Sequence, residues 1–436
     1  MKKIFLVAIA GMATLQLSAQ NIDKIITREY TDHLIKTLSA DDMEGRGTFT
    51  PGIDKAATFI ESEFKKIGLK PLTGADSFRQ TFFKIKLSPE PTKLVIDGKT
   101  IAQENILVTG KSPLVTFNQT NGDGVIKLDT TKTFAVQYRA LSRAGKKQIV
   151  LVNEKFAADF KRYKSFGGRG AILDEKDMQS PTQDAMVFVF GVNDAKEFNV
   201  EVKNKTEKLP LFNVAGMIPG KSKAKELVVF SGHYDHLGIT KSVDGDSIAN
   251  GADDDASGTT AMIALAKYYK AQKNNERTLI FVAFTAEEIG GFGARYFSEK
   301  LNPDDVVAMF NIEMIGKPSK FGANSAFITG FERSDFGTFL QKAVKGTSYS
   351  FHPDPYTEQN LFYRSDNATL ARLGVPAHSI SSDQIDIDKL YHSVNDEFES
   401  LDMPHMTNMI KAIAVGSKPM VDGKVTPKRV NKAEVD

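Results

Sequence analysis

The sequence predicts an α/β fold: a doubly wound mixed sheet with helices on both of its faces, plus an inserted mainly-β module. Two observations support this fold class. Between residues 210 and 418, short runs rich in Val, Ile and Phe alternate with helical patterns, as in strand–helix–strand units. Several of these runs end abruptly at His, Asp or Glu, as expected where buried strands reach the ligand-binding edge of an open sheet.

Composition sets limits on the function. At 436 residues, with 41% hydrophobic and 25% charged residues, the chain is long enough for more than one globular domain. A net charge of +2 is close to neutral for this length, so no nucleic-acid partner is expected. The absence of cysteine excludes disulfides, thiolate metal sites and cysteine nucleophiles. Any metal must therefore be held by nitrogen and oxygen ligands.

The first 20 residues have the pattern of a signal peptide. Two lysines precede a mostly apolar run over residues 4–17, and Ser18 and Ala19 provide small residues for cleavage. An uncleaved anchor is the alternative, but the run is short for a bilayer span of about 20 residues. We therefore expect an exported protein, periplasmic or secreted, with no membrane span in the mature chain.

The rest of the chain divides into three segments. Residues 21–84 predict two amphipathic helices, the second of which ends near Gly68. Residues 85–209 alternate short β-like runs with polar turns and predict the inserted module. Residues 210–436 return to alternating strands and helices and form the main domain together with 21–84. The polar tail from Pro419 onward is expected to fray.

The first candidate ligands follow the apolar run at residues 228–230. In the motif SGHYDH, His233 suits a metal ligand, and Asp235 suits the acid that orients its imidazole. His236 would point the other way if the strand persisted, so we expect it to be a solvated loop residue.

Acidic residues provide the next candidates. Asp253, Asp254 and Asp255 precede a helix; they could complement its dipole, but three successive acids exceed that need and favour a bound cation. Glu287 and Glu288 follow an apolar strand, where adjacent carboxylates raise each other's pKa. A cation bound by one would leave the other as a proton acceptor, so the pair suggests a ligand and a general base. Two solvated acids opening a helix are the alternative.

Two further candidates stand in short motifs. Glu313 closes the strand in NIEMIG, and His392 lies in the loop YHSVND beside Tyr391; each alone could be a surface residue. The glycines at 290, 291 and 293 lack the lysine of a phosphate-binding loop and are interpreted as a turn. Core or surface roles are expected for the remaining histidines, which are His33, His352, His378 and His405.

Taken in order, the motifs GHYDH, GADDDASG, TAEE, NIEMIG and YHSVND resemble those of the co-catalytic di-zinc aminopeptidases of clan MH. That family includes bacterial leucyl aminopeptidases, glutamate carboxypeptidase and the transferrin-receptor ectodomain. The resemblance extends to LSADDMEGRGTFTPGIDKAATFI near the N-terminus and to YRSDNATLARLGVPAHSISS before the last motif. The position of the inserted module is similar to that of the protease-associated domain of some relatives.

The resemblance implies a zinc exopeptidase fold and two Zn²⁺ ions bridged by Asp254. His233 and Glu313 would complete one metal site, and Glu288 and His392 would complete the other. The family also implies a cis peptide bond after the bridging acid.

The resemblance further implies roles in the reaction. Glu287 would be the general base, Asp235 would orient His233, and Tyr391 would donate a hydrogen bond to the tetrahedral intermediate. The expected reaction is removal of the N-terminal residue from peptides that have a free α-amine.

Two positions depart from the family's pattern and leave alternatives open. Glu313 stands where its aminopeptidases usually have Asp, whereas Glu is commoner there in carboxypeptidases and deacylases. Asn367 stands where many relatives have His. A carboxypeptidase, dipeptidase or deacylase on the same metals is therefore one alternative. A glutaminyl cyclase with a single zinc and a non-catalytic binding module are the others, and the full set of five ligands argues against both.

Overall fold

The computed structural model describes residues 22–167, 170–179 and 183–435. The predicted signal peptide, residues 1–20, lies outside them, and export stays a prediction. Within the described part of the chain, no helix is both long and apolar enough to cross a membrane. The described residues form two compact units, one of residues 22–82 and 211–435 and one of residues 83–210. The assignment of residues 85–209 as an inserted domain stays a prediction.

The structure consists of α-helices and strands, with short 3-10 segments between them. The main helices are, in chain order, α1 (Arg28–Leu38), α2 (Pro51–Ile67), α3 (Phe134–Ser142), α4 (Ala157–Gly167), α5 (Glu175–Gln179), α6 (Gly258–Gln272), α7 (Phe292–Lys300), α8 (Phe336–Ala343), α9 (Asn367–Ala371) and α10 (Met403–Val421). The strands are β1 (Lys70–Pro71), β2 (Arg79–Pro89), β3 (Lys93–Ile96), β4 (Lys99–Thr100), β5 (Ile106–Thr109), β6 (Leu114–Asn118), β7 (Val125–Lys127), β8 (Lys147–Val152), β9 (Ala171–Leu173), β10 (Ala185–Phe190), β11 (Phe198–Ile218), β12 (Lys223–His233), β13 (Gly238–Val243), β14 (Asp246–Ala249), β15 (Arg277–Phe284), β16 (Val306–Ile312), β17 (Ser325–Ile328), β18 (Ser350–Pro353) and β19 (Ala377–Ser381).

The first unit is built on a mixed sheet. Its strands lie in the order β18-β17-β19-β16-β12-β15-β11, and β1 pairs with the end of β11. The four strands β19, β16, β12 and β15 are parallel, whereas β11 and β17 run antiparallel to their neighbours β15 and β19. The predicted fold class, a mixed α/β sheet, is confirmed.

Helices cover both faces of this sheet. Along β12, Val228 and Phe230 pack into a core with residues of α1, α2, α6 and α10, and Val229 packs into a second core with residues of α7 and α9. Because successive side chains of a strand point to opposite faces, these are the two sides of the sheet. Both faces of β12 are therefore buried, as its continuous apolar run predicts.

The strand β12 is also where the chain changes its direction of winding. From β12 the chain passes through α6 to β15 on one side, and then through α7 to β16 on the other side. Open α/β sheets bind ligands at the carboxyl ends of strands beside such a switch point. The end of β12 is therefore the expected place for a site.

The expectation of a frayed tail is wrong. Pro419 lies inside α10 instead of ending it, and Val430 is buried. The buried guanidinium of Arg277, at the start of β15, donates a hydrogen bond to the carbonyl of Val425. The polar side chains of the tail do not predict this contact, because Arg277 binds a backbone oxygen of the tail.

The second unit, residues 83–210, is mainly β. It contains a four-stranded sheet in the order β5-β10-β8-β7. Outside that sheet, β9 pairs with β2, and β3 and β6 pair with the first part of β11. Phe134 of α3 and Phe160 of α4 pack with Val150 and Phe188 in its core.

Candidate metal centre

The carboxyl ends of three parallel strands bring predicted residues together. His233 is the last residue of β12, Glu313 directly follows β16, and Glu287 and Glu288 follow β15. Because β15, β12 and β16 are adjacent and parallel, these side chains leave the same edge of the sheet. His392 reaches the same place from the loop between β19 and α10.

Asp254 lies between the two predicted histidines. Its Oδ1 is 3.1 Å from His233 Nε2, and its Oδ2 is 3.2 Å from His392 Nε2. One buried carboxylate therefore presents one oxygen to each histidine. The peptide bond between Asp254 and Asp255 is cis, as the resemblance implied.

Two clusters share this carboxylate. In the first cluster (His233, Asp254 and Glu313), His233 Nε2 lies 3.4 Å from Glu313 Oε1. In the second cluster (Asp254, Glu288 and His392), His392 Nε2 lies 3.1 Å from Glu288 Oε2. Tetrahedral ligands about 2.0–2.1 Å from a zinc ion are about 3.3 Å apart, which is close to these spacings. Since His233 Nε2 is also buried without a hydrogen-bond partner, the residues present fit a metal ion.

The acids that flank Asp254 hold the backbone around it. Asp255 accepts hydrogen bonds from the N–H groups of His233 and Gly258, both at 3.0 Å, and so joins the end of β12 to the start of α6. Asp253 accepts one from the N–H of Gly316, beyond β16, at 2.7 Å. Within the acidic triplet, Asp255 therefore binds the first N–H of α6, Asp253 binds the segment after β16, and Asp254 faces the two histidines.

The adjacent acids Glu287 and Glu288 have different environments. Burial raises the pKa of Glu287 well above its usual value, and nearby carboxylates such as Glu313 add to the shift. Burial acts in the same direction on Glu288, but hydrogen bonds from His236 and His392 outweigh it and lower the pKa of Glu288. The expectation that both pKa values rise is therefore wrong for Glu288, because the two histidines stabilise its charged form.

Asp235 contacts His233 differently from the prediction. His233 Nδ1 lies 3.0 Å from the backbone oxygen of Asp235 but 3.8 Å from its Oδ1. The carboxylate of Asp235 instead accepts hydrogen bonds from the N–H groups of Glu287 and Glu288, at 3.1 and 3.3 Å. Asp235 therefore holds the imidazole through its main chain and the two glutamates through its side chain.

Tyr391 stacks on His392 with ring centroids 3.9 Å apart and lines a cavity beside Glu313. Burial, together with the charges of Asp254 and Glu288, raises the pKa of Tyr391, so its phenol stays protonated and can donate a hydrogen bond. The cavity is open to the solvent. Its apolar walls are formed by Met314, Phe327, Leu361 and Ile385.

The structure corrects the expectation for His236. It is buried rather than solvated, and its Nδ1 lies 2.8 Å from Glu288 Oε1. The expectation assumed that the alternation of the strand continues, but β12 ends at His233. The sequence does contain one signal for this contact: His236 is the second histidine of the GHYDH motif, three residues after His233.

Arg46, for which the sequence pattern predicts no role, has a fully buried guanidinium next to the site. Its nitrogens donate hydrogen bonds at 2.5–2.9 Å to the backbone oxygens of Leu38, Tyr234, Asn250 and Gly251. Arg46 therefore ties the segment after His233 to the segment that precedes the acidic triplet.

The two departures from the family pattern differ in their relation to the site. Glu313 directs Oε1 towards His233, while its Oε2 accepts a hydrogen bond from Ser365 Oγ. Asn367 is buried, and its Oδ1 accepts a hydrogen bond from Ser379 Oγ at 2.9 Å. The glutamate thus belongs to the first cluster, and the asparagine is part of the hydrogen bonding between α9 and β19.

Related sequences match this region. Residues 213–416 match the profile of peptidase family M28. A leucine aminopeptidase 1 of Ajellomyces capsulatus (strain H88) is 27% identical over 305 residues, which cover 65% of this chain and 74% of that protein. The protein of the same name from strain G186AR is 30% identical over 217 residues, which cover 46% of this chain and about half, 54%, of that protein.

Solved structures share the fold. The aminopeptidase from Aneurinibacillus sp. strain AM-1 matches 95% of this chain and 97% of its own, with a TM-score of 0.55 and 19% identity. A zinc aminopeptidase from Bacillus subtilis matches 94% of this chain and 99% of its own, with a TM-score of 0.54 and 16% identity. The region that matches the family profile contains every predicted ligand from His233 to His392. Through residues 213–416, a little under half of its length, this chain is therefore similar to peptidase family M28.

Proposed function

We propose that the protein is a metallo-aminopeptidase that hydrolyses the N-terminal peptide bond of peptides with a free α-amine. The observation that carries this proposal is the pair of clusters joined by Asp254, with the half-buried acid Glu287 directly before Glu288 in the chain. The names of the related proteins, leucine aminopeptidase and zinc aminopeptidase, support the same activity.

We infer that the clusters hold two zinc ions. Imidazole nitrogen and carboxylate oxygen are common zinc ligands, and two-metal hydrolases place their ions about 3.5–4 Å apart. His233, Asp254 and Glu313 would hold one ion, and Asp254 with Glu288 and His392 the other. When bound, zinc supplies an acidified water and polarises the scissile carbonyl.

The protein's own groups move the proton. Glu287 accepts the proton of the attacking water and then passes it to the leaving amine. The raised pKa of Glu287 suits a carboxylate that must take up a proton and later release it. Tyr391 donates its phenol hydrogen to the oxyanion of the tetrahedral intermediate.

Selectivity for the N-terminus comes from the acidic crevice. The carboxylates of Glu313 and Asp366 oppose the ionisation of Glu287, and neither carboxylate oxygen of buried Asp366 has a hydrogen-bond partner. A substrate ammonium group in the crevice reduces this repulsion, whereas a blocked N-terminus does not. The apolar cavity beside Glu313 would receive the side chain of the first residue.

The test compares free and N-acetylated peptides of the same sequence, with the zinc content of the purified protein measured in parallel. We expect two zinc ions per chain and release of the first residue from the free-amine peptides alone. Cleavage from the carboxyl end, or of the acetylated peptides, would replace the proposal with the carboxypeptidase or deacylase chemistry that Glu313 favours. One zinc per chain would favour the cyclase instead.

A further inference from the structure

His236 has no part in the roles that the family resemblance implies, yet its ring lies inside the site. Its side chain is 0% exposed, and its Nδ1 lies 2.8 Å from Glu288 Oε1. The charged carboxylate of Glu288 can only accept, so the ring nitrogen is the donor. His236 thus places a hydrogen-bond donor behind a predicted metal ligand.

The two oxygens of Glu288 have separate partners. Oε1 receives the hydrogen bond from His236, whereas Oε2 lies 3.1 Å from His392 Nε2. His392 Nε2 is in turn 3.2 Å from Asp254 Oδ2. Oε2 of Glu288 is therefore the oxygen that faces the other residues of the second cluster, His392 and Asp254. Oε1 is occupied by the hydrogen bond from His236.

The imidazole of His236 has little freedom to leave this position. A Cβ at Gly251, which has a φ of +55°, would lie 2.5 Å from two carbon atoms of the ring, so the absence of a side chain at 251 makes room for it. The backbone N–H of His236 donates to the carbonyl of Arg46 at 3.3 Å. The ring also meets that of His392 edge-on, with centroids 5.8 Å apart.

We propose that His236 is a positioning residue for the second metal: its hydrogen bond to Oε1 of Glu288 fixes the carboxylate so that Oε2 is the oxygen presented to the ion. This inference rests on the proposed function. His236, Asp254 and Glu288 do offer ligand atoms within 4.8 Å of one another, so direct coordination by His236 is the rival assignment. The distance of 3.9 Å from His236 Nδ1 to Asp254 Oδ2, against 3.2 Å for His392, favours the hydrogen bond.

Two substitutions separate the hydrogen bond from coordination. In His236→Asn the side-chain amide can place a donor nitrogen where Nδ1 stands, but a neutral amide nitrogen is not a zinc ligand. In His236→Leu both the donor and the ligand atom are lost. The measurement is the affinity for each zinc ion, by competition with a chromophoric chelator, on variants shown to be folded by circular dichroism.

We expect His236→Leu to bind one of the two ions about 10–100-fold more weakly, the usual cost of losing a group that orients a ligand. His236→Asn should stay within a few-fold of the native protein. Equal losses in both variants would overturn the hydrogen-bond assignment, and unchanged affinity in His236→Leu would overturn any role in metal binding.

The control is His405→Leu, which removes another buried histidine, from α10, whose ring nitrogens have no hydrogen-bond partner. This change should leave both zinc affinities unaltered and reports any general effect of losing a buried imidazole. A native protein that binds no zinc would contradict the proposed function itself. Normal zinc binding by the native protein and by His236→Leu would contradict the role of His236 alone.

Discussion

Glu287 and Glu288 are neighbours in the chain whose pKa values shift in opposite directions. Two contacts account for this, since His236 and His392 both bond to the second glutamate. The lowered pKa of Glu288 suits a metal ligand, which must be ionised, and the raised pKa of Glu287 suits a proton acceptor. Which glutamate suits a metal ligand and which suits a proton acceptor is therefore decided by the two histidines, which both contact Glu288.

Glu287→Gln should retain zinc and lose catalysis. The amide cannot accept the proton of the attacking water, so kcat should fall by about 10²–10⁴-fold. Asp254→Asn is the contrasting change, because it weakens a ligand common to both clusters and should lower zinc content. Zinc analysis and peptide turnover on the same preparations distinguish the two, and a Glu287→Gln protein with native kcat would rule out its role as base.

At the scale of elements, the site depends on the end of β12, where His233 lies, and on segments that follow strands. Arg46 binds four backbone oxygens on three separate segments, among them Tyr234 after the end of β12 and Gly251 before the acidic triplet. The chain has a second fully buried arginine, Arg277, which binds Glu226 and the carbonyls of Met420 and Val425. Arg277 begins β15, whereas Glu287 and Glu288 follow its other end.

These two arginines form a matched pair for mutation. Arg46→Lys and Arg277→Lys should each lower the free energy of unfolding by about 2–4 kcal/mol, because a lysine cannot reach all the oxygens that the guanidinium binds. Arg46→Lys should also weaken zinc binding, while Arg277→Lys should not. Urea unfolding and zinc titration of both variants check this, and equal zinc affinities would limit Arg46 to a role in stability.

At the scale of the whole molecule, stability should fall in mild acid through a histidine outside the site. Burial lowers the pKa of His378, in β19, to about 4, although a hydrogen bond to the carbonyl of Thr329 acts in the opposite direction. Between about pH 6.5 and pH 4 the unfolded chain therefore binds a proton here that the folded chain does not. Proton binding stabilises the unfolded state as the pH falls. This residue alone should therefore lower the free energy of unfolding by about 2 kcal/mol between pH 7 and pH 5.

The check is urea unfolding of the native protein and of His378→Asn at pH 7 and pH 5, with chelator present so that the metal site does not contribute. The variant should be less stable at pH 7 but should lose less stability on acidification. If the two proteins lose equal stability between these pH values, His378 is not the group responsible.

The ends of the strands can be predicted from the sequence, because a buried parallel strand is a continuous apolar run with a clear end. His233 and Glu313 were placed at neighbouring strand ends on that basis, and the structure brings them within 3.4 Å. His236 was misplaced because its position depends on the turn after β12, where strand alternation no longer applies. Arg46 carried no signal, since its contacts join backbone atoms distant in the chain. The sequence therefore indicates ligands that leave regular elements better than it indicates the groups that hold them.

Because both clusters include Asp254, the site has a consequence for the stability of the protein as well as for catalysis. The clusters combine residues as distant in the chain as 233 and 392, so the complete site exists only in the folded state. Binding that is confined to the folded state adds to its stability, by about 4 kcal/mol per site when free ligand is a thousandfold above its dissociation constant. Under the proposed function, scarcity of zinc would therefore shorten the lifetime of the protein by exposing the unfolded chain to proteolysis, in addition to silencing the enzyme.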